Sequence, residues 1–259
     1  MRFPSVFVSH GAPTLAIEDH PAHRFLREFG ATLGQPSAIL VVSAHWDTAA
    51  PALTTASHLD TIYDFSGFDP VLYTLRYRPP GAVAVAERAQ ALLESAGFTV
   101  AADPRRGIDH GGWVPLSLMY PPATIPVAQL SVQSRREAGH HFRVGEALRP
   151  LREAGVLILG SGSLTHNLRE AFHALPDAPT PPWVTQFGEW VAQRLVAQRI
   201  DDVLDYWQLA PHARRNHPTV EHFVPLLVAL GASTPGVTPR RVHASAMLSV
   251  LAMDAYVFD

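Results

Sequence analysis

Residues 38–44 read AILVVSA and residues 156–160 read VLILG. These are short, unbroken apolar runs, not alternating ones. A strand built from either presents apolar side chains on both faces and needs cover on both. Comparable runs at 5–9, 98–102 and 126–131 are read as further strands, and the tail 246–258 is expected to add one or two more.

Helical periodicity fills the gaps. Residues 22–33 carry Phe25, Leu26, Phe29 and Leu33 on one face. The stretch 82–95 stops before Gly97, 139–153 before Gly155 and 219–230 at Gly231, as helices stop at glycine. Residues 183–198 follow a Pro-Pro pair, which suits a first helical turn. The alternation predicts an α/β fold, with a central, mostly parallel or mixed sheet flanked by helices. No linker-like segment divides the 259 residues, so a single domain over 1–259 is expected.

Ligands of open α/β sheets sit beyond the carboxyl ends of the strands. Two predicted strands deliver an imidazole there: FPSVFVSHGAP ends on His10 and AILVVSAHWDT on His45. GSGSLTHN, after the run at 156–160, supplies His166; GIDHGGW supplies His110 and PTVEHF supplies His222. Three converging imidazoles would hold a borderline divalent metal such as zinc or Fe(II). Gly11, Gly111, Gly112, Gly160 and Gly162 would let backbone approach such a site closely. Trp46, Trp113 and Phe223 flank the candidate ligands and read as pocket walls or as ordinary core aromatics, Phe223 more readily as core. Of the 14 histidines, His20, His23, His58, His140, His141, His173, His212 and His243 read as surface or helix-flanking, and His217 is left open between such a role and the site.

Other chemistries are narrowed by what the chain lacks. With no cysteine, disulfides and thiolate metal sites are excluded. A formal charge of −3 and no long basic run argue against a nucleic-acid partner. No window of about 18 apolar residues predicts a membrane span, and the first residues do not read as a signal peptide, so a cytoplasmic location is expected. No H-E-x-x-H occurs; HPTVEH is one residue too long for the inverted zinc motif, and GSGSL puts Gly162 where a nucleophile elbow needs serine.

The ordered set SHGAP, VVSAHW, DHGGWVPL, GSGSLTHNLR and PTVEHFVPLL, together with IYDFSGFDPVLYTLRYRPPG, resembles the extradiol ring-cleavage dioxygenases of the DODA type, within the class III LigB-like superfamily. The resemblance implies a LigB-like fold and cleavage of a catechol (DOPA-like or protocatechuate-like) by O2 at one divalent metal per chain, Fe(II) for the oxygen chemistry or Zn(II) as found in the site. It implies His10, His45 and His222 as ligands, with Glu221 the alternative to His222. It places His166 at the same site as fourth ligand or acid/base residue, and His110 as a further active-site histidine. A zinc-dependent hydrolase using the same histidines is the rival reading. The partners expected are the catechol and O2, with no nucleic acid and no membrane, for a monomer or small homo-oligomer.

Overall fold

The computed structural model describes residues 2–174 and 178–259. Among them, ten strands form one eight-stranded sheet and one small hairpin. The strands are β1 (Ser5–Ser9), β2 (Ala38–Asp47), β3 (Ala52–Thr54), β4 (Ala101–Asp103), β5 (Val127–Val132), β6 (Val156–Gly162), β7 (Arg240–His243), β8 (Ala246–Met247), β9 (Leu251–Ala252) and β10 (Ala255–Phe258). The large sheet runs β4-β3-β5-β2-β6-β1-β10-β7, and β8 pairs with β9.

The four central strands, β5-β2-β6-β1, are parallel, while β3 and β10 join them antiparallel. The sheet is therefore mixed, with a parallel centre. Ile39, Leu40, Val41 and Val42 of β2 are all fully buried, as are Leu157, Ile158 and Leu159 of β6. Each such side chain contributes about 1.5–3 kcal/mol of hydrophobic stabilisation.

Among the described residues, six helices have eight or more residues: α1 (Pro21–Leu33), α2 (Val83–Ser95), α3 (His110–Met119), α4 (Ala138–Leu148), α5 (Pro182–Val196) and α6 (Val224–Gly231). Adjacent strand residues point to opposite faces. On β6, Gly160 faces the Pro225 carbonyl of α6, whereas Ser161 hydrogen-bonds the Gly111 carbonyl of α3. Helices α6 and α3 thus cover opposite faces of the central strands, as the doubly buried runs require.

Several sequence expectations need correction. The edge strand lies at Ala101–Asp103, not 98–102, and its two alanines are exposed. The helix expected over 139–153 breaks after Leu148, where Pro150 starts a separate turn, Pro150–Glu153. The one expected over 219–230 begins only at Val224; residues 219–223 form turns that carry Glu221 and His222. The tail supplies three short strands instead of one or two, and β3, β7 and α3 have no counterpart in the expectations. His141 is buried at 1 % exposure, its Nε2 accepting the Gln133 N–H at 3.2 Å. His217 is fully buried, with Nε2 donating to the Leu164 carbonyl at 2.8 Å.

Candidate metal centre

His10 follows β1, His45 lies near the end of β2 and His166 lies four residues beyond β6; these strands are neighbours and parallel. Their carboxyl ends therefore open on the same edge of the sheet. His110 is the first residue of α3, whose N-cap Asp109 is fully buried. Asp109 accepts from Ser43 Oγ (2.6 Å), from Arg106 Nη2 (2.9 Å) and from Gln129, so α3 begins at a fixed point beside β2. His222 reaches the same edge because Gly162 has no side chain. A Cβ there would fall well inside van der Waals distance of the His222 carbonyl oxygen, which instead accepts the Ser163 N–H at 2.9 Å.

The five imidazoles form one cluster. Nε2 of His45 lies 3.0 Å from Nε2 of His10 and 3.3 Å from Nε2 of His222. The His110 ring centroid is 3.8 Å from that of His45, and the His166 ring stacks on His222 at 3.4 Å with a 9° tilt.

The other ring nitrogen of each converging imidazole faces an oxygen. Ser161 Oγ donates to the Gly111 carbonyl, so it accepts from His10 Nδ1 at 3.0 Å. His222 Nδ1 donates to Glu221 Oε1 at 3.0 Å, and Thr219 Oγ1 holds the same carboxylate oxygen at 2.8 Å. His45 Nδ1 lies 3.5 Å from Asp64 Oδ2. The two hydrogen bonds place the proton on Nδ1 of His10 and His222, and the carboxylate near His45 Nδ1 favours the same tautomer there, which leaves the three Nε2 lone pairs facing one another.

Burial, then the neighbouring imidazoles, hold His10 and His222 well below the usual histidine range. Burial and His110 push His45 down to about 3, against the pull of Asp64 and Glu221. Burial likewise takes His166 to about 4, with Glu221 opposing. At neutral pH these four rings are uncharged donors. Three neutral lone pairs aimed at one another are repulsive unless a cation sits among them. Tetrahedral metal–nitrogen bonds of about 2.0–2.1 Å separate ligand nitrogens by about 3.3 Å, which the observed spacings match. The donor set thus fits a divalent metal. Two overlapping groups, His45–Asp64–His110 and His166–Glu221–His222, also bring their ligand atoms within 4.8 Å of one another.

Asp64 is the residue that sequence reasoning missed. Besides its approach to His45, Oδ1 accepts the His110 backbone N–H at 2.9 Å and Oδ2 lies 3.0 Å from His110 Nδ1. Of the other candidates, Trp113 is buried near Phe65 and Tyr63, its Nε1 donating to the Ile62 carbonyl at 3.0 Å. Trp46 lies under the Arg106 guanidinium at 4.5 Å, and Phe223 packs in the core against Tyr206 and Phe187.

Known proteins share this chain's sequence and architecture. It is 42% identical over 263 residues to the 4,5-DOPA dioxygenase extradiol of Beta vulgaris, covering 97% of this chain and 95% of the relative. It is 39% identical over 234 residues to the 4,5-DOPA dioxygenase extradiol of Escherichia coli strain K12, covering 89% and 85%. The crystal structure of an uncharacterized protein from Escherichia coli K12 superposes with a TM-score of 0.81 at 33% identity, covering all of both chains. Residues 4–251 match the family described as the catalytic LigB subunit of aromatic ring-opening dioxygenase, and the chain belongs to that family.

Proposed function

We propose that this chain is an extradiol dioxygenase that opens a catechol ring beside the diol with O2, at a mononuclear metal held by His10, His45 and His222. The observation that carries the reading is the set of three unprotonated Nε2 atoms meeting at 3.0 and 3.3 Å within a LigB-family fold. Family membership favours ring opening over the hydrolase alternative, which would use the same imidazoles. The named relatives act on DOPA, so a DOPA-like or protocatechuate-like catechol is the substrate class proposed here.

A divalent metal bound here would lower the pKa of a coordinated phenol and, as Fe(II), would relay electron density from the catechol ring to oxygen, the ring being the reductant. The protein's own groups do the rest. Ser161, Asp64 and Glu221 hold the ligand rings in the tautomer that exposes Nε2. His110 and His166 border the cluster as uncoordinated imidazoles, placed to accept the second catechol proton. Glu221 serves as the partner of His222, not as its replacement. Phe65, edge-on to His110 at 5.7 Å, and Trp113 behind it supply an aromatic wall.

The test is anaerobic loading with Fe(II), followed by a catechol panel and oxygen. Stoichiometric oxygen uptake with a yellow ring-opened product supports the reading. No uptake on any catechol overturns it, and product formed without oxygen returns the hydrolase.

A further inference from the structure

Gly11 follows the proposed ligand His10 with φ +63°, and the space where another residue would carry its Cβ is taken by two thioethers. A Cβ built there would lie 3.1 Å from Met247 Sδ, 3.2 Å from Met253 Sδ and 2.8 Å from Met253 Cε. The next residue, Ala12, donates its N–H to Met247 Sδ at 3.4 Å. Two of the chain's four methionines thus line the turn that leads the backbone away from His10.

Both methionines belong to the β8–β9 hairpin and its exit. Met247 pairs with Leu251, and Met253 N–H donates to the Ser245 carbonyl at 2.9 Å. The hairpin turn runs through Leu248 and Ser249, and Ser249 Oγ donates to the Ala178 carbonyl at 2.7 Å. Asp254, directly after Met253, accepts the N–H and the Oγ of Ser9 on its carbonyl at 3.1 and 3.0 Å. The hairpin is therefore fastened to the chain on both sides of His10, at Ser9 and at Ala12. A change of shape or polarity at these sulfurs is passed to His10 instead of being absorbed by the hairpin. Met247 is 4% exposed and Met253 1%, so Met247 is the less enclosed of the two.

We propose that Met247 is an oxidation site that controls the metal centre: conversion of its thioether to the sulfoxide by hydrogen peroxide dislodges the Gly11 turn and weakens metal binding at His10. The inference rests on the metal reading of the histidine cluster and not on ring cleavage. In the step, the sulfur attacks one peroxide oxygen, so that an S–O bond forms as the O–O bond breaks. Sulfur gives up two electrons, and the second oxygen leaves as water with both peroxide protons. The peroxide is the two-electron reduction product of O2, formed when a catechol is oxidised by air to its quinone. The new oxygen is a stronger acceptor than sulfur and stands one atom further out, where Ala12 N–H and the Gly11 backbone already fill the space. Sulfoxide reductases reverse the modification, so the loss is recoverable.

The test uses zinc-loaded protein, whose metal is redox-inert, treated with graded hydrogen peroxide. Peptide mass spectrometry reads the mass of one added oxygen at each methionine, and chelator competition reads zinc affinity. Met119 is the control for burial: it is also 4% exposed, but lies about 14 Å along α3 from His110. Met247 is expected to gain oxygen at peroxide concentrations that leave Met119 unmodified, and the oxidised chain to bind zinc about 10–100-fold more weakly. Met247→Leu, close to methionine in volume, should bind zinc as wild type does and keep it through the same treatment, whereas Met253→Leu should still lose it. Oxidation of Met119 before Met247, undiminished zinc affinity in chains carrying the Met247 sulfoxide, equal zinc loss from Met247→Leu, or protection by Met253→Leu would each overturn the proposal. Wild-type protein that takes up no zinc before treatment would overturn the metal reading and this inference together. Protein that binds zinc but cleaves no catechol in its Fe(II) form would sink the dioxygenase reading alone.

Discussion

Ser161 and His10 are joined across two parallel strands by a hydrogen bond whose direction is set elsewhere. The serine hydroxyl is committed to the Gly111 carbonyl, so its oxygen accepts from His10 Nδ1 at 3.0 Å. Both residues are almost fully buried.

Replacing Ser161 by alanine removes that acceptor and, with it, the donor to the Gly111 carbonyl. Metal affinity is expected to fall about 10–100-fold, as it does when other outer partners of ligating histidines are lost. A chelator competition titration measures it. Affinity equal to wild type would show that the tautomer of His10 is not held by this contact.

Glu221 and His222 are adjacent and separable. His222→Ala is expected to abolish stoichiometric metal binding. Glu221→Gln should keep one metal per chain with affinity lowered about 10–100-fold. Metal analysis after gel filtration distinguishes them, and loss of metal in the glutamine variant with retention in the alanine variant would make Glu221 the ligand.

Gly162→Ala places a methyl group against the His222 carbonyl, which the sheet cannot yield without moving α6. Overpacking of this kind costs about 1–3 kcal/mol, read as a lower urea midpoint. Metal affinity should fall in the same variant, because the residue displaced is a proposed ligand. A variant as stable as wild type would mean that the turn before α6 gives way freely.

His141 provides a pH test remote from the cluster. Burial, then the charge of His140, pushes its pKa down to about 3, and both ring nitrogens are occupied, Nε2 by the Gln133 N–H and Nδ1 by the Glu137 carbonyl. The unfolded chain takes up a proton at this residue near pH 6.5, whereas the folded chain resists until about 3. Stability is therefore lost as pH falls through that window, by up to about 1.4 kcal/mol per pH unit. His141→Gln should flatten this acid limb by one proton in urea titrations run from pH 7 to pH 4. An unaltered slope would show that the ring is not kept neutral by the fold.

The central strands were legible because a doubly buried strand is a continuous apolar run, and His10, His45 and His166 stand out because each follows one; His110 and His222 lie in segments rich in Gly, Pro, Asp or Glu, and the family resemblance brought them into the site. Helix α3 was not legible: buried on nearly every side, with two glycines and Pro115 inside, it has no amphipathic period to read. Asp64 was invisible for a different reason. Its contact with His110 spans 46 positions and arises from pairing between two irregular segments, which leaves no periodic trace. His141 misled because its neighbour His140 has the same sequence setting yet remains partly exposed, and only the packing of α4 separates them.

Strand β1, which leads straight into His10, pairs with β6 on one side and with β10 on the other: Val8 sits between Ser161 and Ala255. On the ribosome the first of the clustered histidines therefore emerges early and stays without one of its flanking strands until residues 255–258 have cleared the exit tunnel. A chain arrested before that segment is expected to hold a divalent metal less tightly than the finished chain, which metal analysis of the stalled complex measures.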